Sequence, residues 1–137
     1  MRLGAFNFTK INIEKLSGSF KDIKINSTIN ISKIEVLKTE ALKGKEGAIE
    51  INFSYSVDYN PDVAKIELGG RVLLIVDKKE AKEIEEAWEK KKMSEEFRIS
   101  LFNIILKKSN VKALELEEEV GLPLHIPLPT LKKQQKE

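Results

Sequence analysis

The chain offers few side chains that could perform catalysis or bind a metal. His125 is its single histidine and cysteine is absent, so a nucleophilic triad could use only His125 as its base, and a zinc site would need carboxylates for its other ligands. His125 stands between Leu124 and Ile126 in a segment rich in proline. We interpret it as a loop histidine whose ring tip contacts solvent, and we predict no catalytic residue and no metal site.

Two further motifs look like binding sites but have simpler explanations. Gly69-Gly70-Arg71 could cradle a phosphate only if a helix began there, because the anion needs converging amides at a helix N-terminus. No helix signal begins at these residues, so the glycine pair indicates a bulge or a close backbone approach in a strand. Glu117-Glu118-Glu119 is interpreted as the solvated end of a helix. We therefore predict that the protein is not an enzyme and needs no cofactor.

Composition narrows the class of protein. The 137 residues are 41% hydrophobic and 34% charged, with a formal net charge of +2. This hydrophobic content argues against disorder, and the nearly balanced charge gives little support to nucleic-acid binding. The longest aliphatic run, residues 72–76, is too short to cross a membrane, and the first residues lack a secretory signal. We expect one cytoplasmic domain with no membrane insertion and no nucleic-acid partner.

The amino-acid bias also bears on the source of the chain. Lysine and glutamate are abundant and cysteine is absent, which is typical of thermophilic proteins, archaeal ones included. An AT-rich genome would also raise the lysine, isoleucine and asparagine content. The composition leaves both sources open.

Four segments in the first half of the chain are predicted to be β-strands. The clearest is residues 49–57, where large apolar residues alternate strictly with polar ones, as in a strand with one covered face and one wet face. The apolar parity changes near Thr9-Lys10 in the first strand and after Ser32-Lys33 in the second, so we expect a bulge in each. A fourth strand, residues 64–76, runs through the glycine pair. Together these strands predict an antiparallel sheet.

From Asp77 onward the period becomes helical. Asp77 and Glu80 have the spacing of a capping box, which predicts a charged helix over residues 78–92. Ser94 predicts a second N-cap, and an apolar helix follows over residues 94–119 and ends at Gly121. The predicted fold class is α+β, with a four-stranded antiparallel sheet followed by C-terminal helices packed on one face.

We assign the whole chain, residues 1–137, to a single domain. Residues 5–76 form the sheet, 77–120 the helices, 121–131 a proline-rich crossover segment and 132–137 a frayed tail. The crossover, called the proline segment below, is apolar, yet its three prolines exclude a helix or a paired strand. Such a stretch must be buried against its own domain, pair with a partner, or line a groove.

The order of these elements resembles the SecB family of export chaperones. The matching stretches are residues 6–14 (FNFTKINIE) for the family's first strand, 64–76 with its glycine pair for the fourth strand, 97–108 for the main helix, and 122–131 for the segment that crosses back over the sheet. The chain departs from the family in its slightly basic charge and in having almost no final helix. Members that deliver clients to the secretion motor carry an acidic surface, so we do not carry over a motor-docking site.

The resemblance implies a holdase-type chaperone that binds non-native polypeptides through apolar grooves, without nucleotide. It also implies a homo-oligomer, a dimer or tetramer formed through the first strand and the main helix. The family serves protein export and also includes relatives tied to toxin–antitoxin pairs. The residues predicted to contact a client, each of which core packing would also explain, are Phe53, Tyr55, Leu122, Leu124, Ile126 and Leu128.

A second hypothesis is an adaptor or structural subunit with one dedicated protein partner. Trp88 stands alone among the charges of the first helix, where it either packs into the core or anchors a partner. A weaker third hypothesis is RNA binding through scattered lysines, which salt would weaken.

Overall fold

The computed structural model describes residues 1–38, 42 and 44–133. It contains β1 (Arg2–Lys15), β2 (Lys24–Leu37), β3 (Glu46–Asn60), β4 (Ala64–Asp77), α1 (Lys78–Glu89) and α2 (Glu95–Val120). Of the predicted tail, residues 132 and 133 are exposed and lack secondary structure, while 134–137 lie outside the described residues.

The four strands form one antiparallel sheet in the order β1-β4-β3-β2. A short turn joins β3 to β4, whereas the chain must cross from one edge of the sheet to the other between β1 and β2. The two edges of the sheet are therefore β1 and β2. This arrangement confirms the predicted α+β fold with a four-stranded antiparallel sheet.

Strict alternation along β3 and β4 places large apolar side chains on one face, which α1 and α2 cover. The core on this face divides into two groups. The buried members of the first core cluster are Ile34, Ile49, Ile51, Phe53, Val72, Leu74, Val76, Ala81, Ile84, Leu101 and Ile105. Those of the second core cluster are Tyr55, Val57, Tyr59, Val63, Ala64, Ile66, Leu68, Ala113 and Leu122.

Both predicted bulges are present. The β1–β4 register shifts between Phe8 and Lys10, and the β2–β3 register shifts between Ile31 and Lys33. Each shift restores the apolar residues beyond it to the covered face. A third shift, between Leu3 and Ala5, was not predicted.

Gly70 is a close backbone approach, as its sequence context indicated. A Cβ atom there would lie 2.4 Å from the carbonyl oxygen of Asn7 and 2.9 Å from the ring of Phe53. Only glycine lets β4 pass between the bulged part of β1 and this ring.

The start of α1 corrects one prediction. Asp77 is the N-cap residue with extended backbone angles, but its side chain makes no capping hydrogen bond, so the predicted capping box does not form. Asp77 is still the last paired residue of β4, opposite Glu46, and the amide of Lys78 donates to the carbonyl of Lys45 at 2.8 Å. The strand ladder therefore continues directly into the helix, which ends three residues earlier than predicted, at Glu89.

The long helix α2 begins and ends as the sequence indicated. The Ser94 hydroxyl accepts a hydrogen bond from the amide of Phe97 at 3.2 Å, and Gly121 ends the helix in the left-handed conformation with φ of 71°. Its fully buried side chains recur every fourth residue: Leu101, Ile105, Ser109, Ala113 and Glu117. This spacing carries the contact line of α2 from the first core cluster to the second.

Candidate functional site

The proline segment turns back from the end of α2 onto the sheet. The amide of Leu122 donates to the carbonyl of Glu117 at 2.9 Å, one turn earlier in α2, which fits the left-handed helix end at Gly121. Leu122 then enters the second core cluster, and the hydroxyl of Tyr59 on β3 donates to the carbonyl of Pro123. The first residues of the segment thus lie against both α2 and β3.

A buried polar cluster joins this segment to the helix and the sheet. The backbone amide of His125 donates to Glu117 Oε1 at 2.8 Å, and His125 Nδ1 lies 2.7 Å from Glu117 Oε2. On its other side the ring Nε2 lies 3.0 Å from the hydroxyl oxygen of Tyr55 and 3.2 Å from Asn110 Oδ1. The Tyr55 hydroxyl donates to Asn110 Oδ1 at 2.6 Å. One histidine therefore connects the segment, α2 and β3.

The predictions for His125 and Glu117 were wrong. The His125 side chain is only 3% exposed and the Glu117 side chain is fully buried, whereas we expected a solvated ring tip and a solvated helix end. Glu117 is buried because it continues the every-fourth-residue series that faces the sheet, and it turns away from the exposed Glu118 and Glu119. That series was the signal in the sequence that could have identified it.

Charge and burial make this cluster a structural clamp. Nδ1 of His125 faces only carboxylate oxygens, so this nitrogen carries a hydrogen and donates a hydrogen bond to Glu117. A buried carboxylate is costly unless it is paired and hydrogen-bonded, and His125 supplies two donors to Glu117, its backbone amide and its ring Nδ1. Because both side chains are closed off from solvent, a substrate cannot reach them in this conformation.

The two tyrosines of the cluster remain neutral donors over a wide pH range. Burial, followed by the negative charge of Glu117, raises the pKa of Tyr55 to about 12. The same two causes, in the same order, followed by a hydrogen bond to Glu117 and the charge of Tyr55, raise the pKa of Tyr59 further. The chain has two tyrosines, and both hydroxyls contact the proline segment.

The six residues predicted to bind a client lie in two different environments. Phe53 and Tyr55 are 4% and 1% exposed and Leu122 is also buried, so a client could reach them only after α2 or the proline segment moved. Leu124 and Ile126 are half-buried and Leu128 is exposed. The outer residues of the proline segment are therefore the accessible part of this set, and client binding by all six stays a prediction.

Trp88, the predicted partner anchor, is half-buried. It packs against the first core cluster together with Met93 and Phe97. Trp88 therefore contributes to the core at this end of the molecule while staying partly accessible.

Other apolar side chains are exposed where the sequence had not singled them out. Leu3 and Ile11 lie on the edge strand β1, on the same side of the sheet as the core, because they pair with Leu74 and Leu68. Ile99 and Val111 lie on the outside of α2. The alternation in β1 could have identified the first two, but not their exposure, which follows from their place at the edge of the sheet.

The described residues hold neither a metal-binding cluster nor a membrane-spanning helix. In residues 1–38, 42 and 44–133, no three His, Asp or Glu side chains are grouped to hold a metal ion. No helix in the described part of the chain is long and apolar enough to span a membrane.

Comparison with known proteins gives a match in structure alone. No protein-family model and no curated protein matches the chain by sequence. Among solved structures, the chain is similar to the Mycobacterium tuberculosis Rv1957 SecB-like chaperone, in complex with a ChAD peptide from the Rv1956 HigA1 antitoxin. The TM-score is 0.56 at 14% sequence identity, over 96% of this chain and 87% of that chain.

The chain therefore has a SecB-like fold. At this sequence identity the match concerns the fold, and it gives no support to an archaeal source. The matched protein is a chaperone and not an enzyme, and it is seen with a peptide from another protein.

Proposed function

We propose that this protein is a holdase-type chaperone that binds non-native polypeptides without nucleotide. The observation that carries the proposal is the proline segment on a SecB-like fold. Its first residues are fastened to the core, while Leu124 and Ile126 are half-buried and Leu128 is exposed. Accessible apolar side chains of this kind suit an extended chain, because they offer contacts without demanding a particular sequence.

Several shallow contacts are needed for such binding. Burying apolar surface contributes about 25 cal/mol per Å², and much of this is lost in ordering the bound polypeptide. We therefore propose a homo-oligomer, a dimer or tetramer, that presents several segments at once. The exposed Leu3 and Ile11 on the edge strand β1, and Ile99 and Val111 on α2, support an interface on these two elements.

The setting proposed is the cytoplasm, with unfolded chains as partners and with no catalytic role. Protein export and control of a toxin–antitoxin pair are both compatible with the fold. The composition and the buried, closed-off His125 favour no enzymatic reaction.

The test is light scattering of a chemically unfolded protein diluted into buffer, with and without this protein. We expect aggregation to fall with increasing molar ratio and to level off at a fixed ratio, with no nucleotide present. Leu128→Asp should weaken the suppression of aggregation, because it places a charge among the accessible apolar side chains of the proline segment. Leu16→Asp is the matched control, since Leu16 is 63% exposed and Leu128 is 52% exposed, but Leu16 lies outside the segment.

A second candidate is an adaptor with one dedicated protein partner. It is favoured by the partial accessibility of Trp88 on α1, and by the match to a chaperone bound to a peptide from one antitoxin. Several unrelated unfolded proteins in the same assay separate the two functions. A holdase suppresses aggregation of all of them, whereas an adaptor suppresses none and the holdase proposal then fails.

A further inference from the structure

The proline segment is fastened to the domain at its beginning and free at its end. Three sets of hydrogen bonds hold it. The amide of Leu122 donates to the carbonyl of Glu117, and the Tyr59 hydroxyl donates to the carbonyl of Pro123. The backbone amide and the ring Nδ1 of His125 both bond to the Glu117 carboxylate. Across residues 126–133, the described structure has no hydrogen bond to the rest of the domain. His125 is thus the last point of attachment, and its release would free everything beyond it.

The attached part of the segment covers an apolar surface. Leu122 packs among the residues of the second core cluster, and the ring of His125 lies 6.4 Å from that of Tyr55, edge-on. Gly121, in the left-handed conformation immediately before Leu122, is a pivot at which a residue without a Cβ can change its backbone angles freely. Lifting the segment at this pivot would expose the tyrosine end of the sheet.

We propose that the Glu117–His125 pair is a latch that holds the proline segment closed over the second core cluster, and that opening it uncovers the Tyr55–Tyr59 surface for a non-native polypeptide. In the closed state the protein's own segment occupies this surface. The latch rests on the proposed function, which it extends by saying how the binding surface becomes available.

The pair suits a latch because the hydrogen bonding of Glu117 differs between the closed and the open state. Closed, the carboxylate of Glu117 receives the backbone amide and the ring Nδ1 of a single residue, His125. Losing His125 would remove two donors at once, and a buried carboxylate that loses its hydrogen bonds is strongly unfavourable. The carboxylate must then be hydrated, and hydration requires the segment to move away.

Among the other polar groups around the pair, the Tyr59 hydroxyl is also within hydrogen-bonding reach of Glu117. From β3, the Tyr55 hydroxyl donates to Asn110 of α2, and that of Tyr59 donates to the carbonyl of Pro123. From β1, the ammonium group of Lys15 donates to the carbonyl of Val120 at 3.1 Å. Tyr55 and Asn110 hold the far side of the imidazole, and Lys15 steadies the helix end at the pivot.

A bound polypeptide would shift the equilibrium toward the open state. A ligand changes the populations of two states only by binding one of them better, and the Tyr55–Tyr59 surface is accessible in the open state alone. Weakening the latch should therefore raise the apparent affinity for a client, up to the point at which the open state dominates.

The first experiment compares Glu117→Gln with Glu118→Gln by amide hydrogen exchange. The two substitutions have the same chemistry, but Glu118 is exposed. We expect exchange of the two hydrogen-bonded amides of the segment, those of Leu122 and His125, to become roughly tenfold faster in Glu117→Gln, as for the loss of one hydrogen bond to a charged group. Exchange in β3 should not change in either variant. Equal exchange of the segment in both variants would overturn the latch.

The second experiment uses the tyrosines as native reporters in His125→Leu. Burial is the largest cause of the raised pKa of Tyr55, so an open segment should bring that pKa down toward 10.0 in a titration followed by tyrosinate absorbance. The double variant Glu117→Leu/His125→Leu removes the unpaired carboxylate and should close the segment again. A Tyr55 pKa that stays high in the single variant would contradict the proposal.

Client binding then separates this inference from the proposed function. If the wild-type protein binds no unfolded polypeptide, the holdase proposal fails, whatever the exchange data show. If it binds one and Glu117→Gln binds it no more tightly than Glu118→Gln, the holdase stands and the latch fails as a control of binding.

Discussion

The two core clusters lie on the same face of the sheet and are closed in different ways. The first, around Phe53, Leu101 and Ile105, is apolar and is covered by two helices. The second contains both tyrosines and is closed by a segment that Glu117 and His125 hold in place. Apolar packing can be opened only by exposing it to water, whereas a hydrogen-bonded closure can exchange one partner for another. We infer that the first core cluster, called the first end below, gives stability. The second core cluster, called the second end, gives a polypeptide access to the sheet.

The largest effect is expected at the first end. Leu101→Ala removes a fully buried side chain and should lower the free energy of unfolding by about 2–5 kcal/mol, through lost burial and a residual cavity. Denaturant titration measures it. Ile99→Ala is the control on the same helix, because Ile99 is 51% exposed, and it should change stability by less than about 0.5 kcal/mol. Equal losses would mean that α2 does not face the sheet as described.

A smaller loss is expected where β4 passes the ring of Phe53. Gly70→Ala forces a Cβ against the carbonyl of Asn7 and that ring, so the backbone must shift, at about 1–3 kcal/mol. Gly18→Ala is the control, because nothing lies within 4 Å of a Cβ at that position. Equal melting temperatures for these two variants would argue against the close approach of the strands.

At the second end, the tyrosines predict a loss of stability at alkaline pH. Their folded pKa values lie above the ordinary value of 10.0, so the unfolded chain loses its tyrosine protons first. The contribution of the two protonated tyrosines to the free energy of unfolding is therefore complete below pH 10.0. It disappears as the pH rises toward the pKa values of the folded state. Denaturant midpoints across this range should fall less steeply in Tyr55→Phe/Tyr59→Phe than in the wild type. Parallel pH profiles would contradict the buried setting of the two hydroxyls.

The same contrast explains which parts of the structure could be predicted. The strands and their bulges could be predicted because apolar residues recur at every second position. This is a local pattern, and it arises because one face of the sheet is covered. Ser94 and Gly121 are local signals too, and both act as expected. Asp77 has the spacing of a capping box but does not form one, because it is paired with Glu46 in the ladder between β4 and β3.

The second end depends on contacts that no local pattern encodes. Glu117 and His125 are eight residues apart, with a helix end between them, and Tyr55 reaches His125 from a different strand. The position of Glu117 in the every-fourth-residue series was visible in the sequence, but the two acids that follow it, Glu118 and Glu119, suggested a solvated helix end. The SecB-like fold was inferred from the order of the elements, whereas the closed state of the proline segment needed the coordinates.

The most direct test compares both ends in one hydrogen-exchange experiment on the wild-type protein, with and without an excess of a non-native polypeptide. We predict that exchange changes in the proline segment and around Tyr55 and Tyr59, and stays the same around Ile49, Leu101 and Ile105. Altered exchange at the first end, or no change at either end while the polypeptide is bound, would contradict this account.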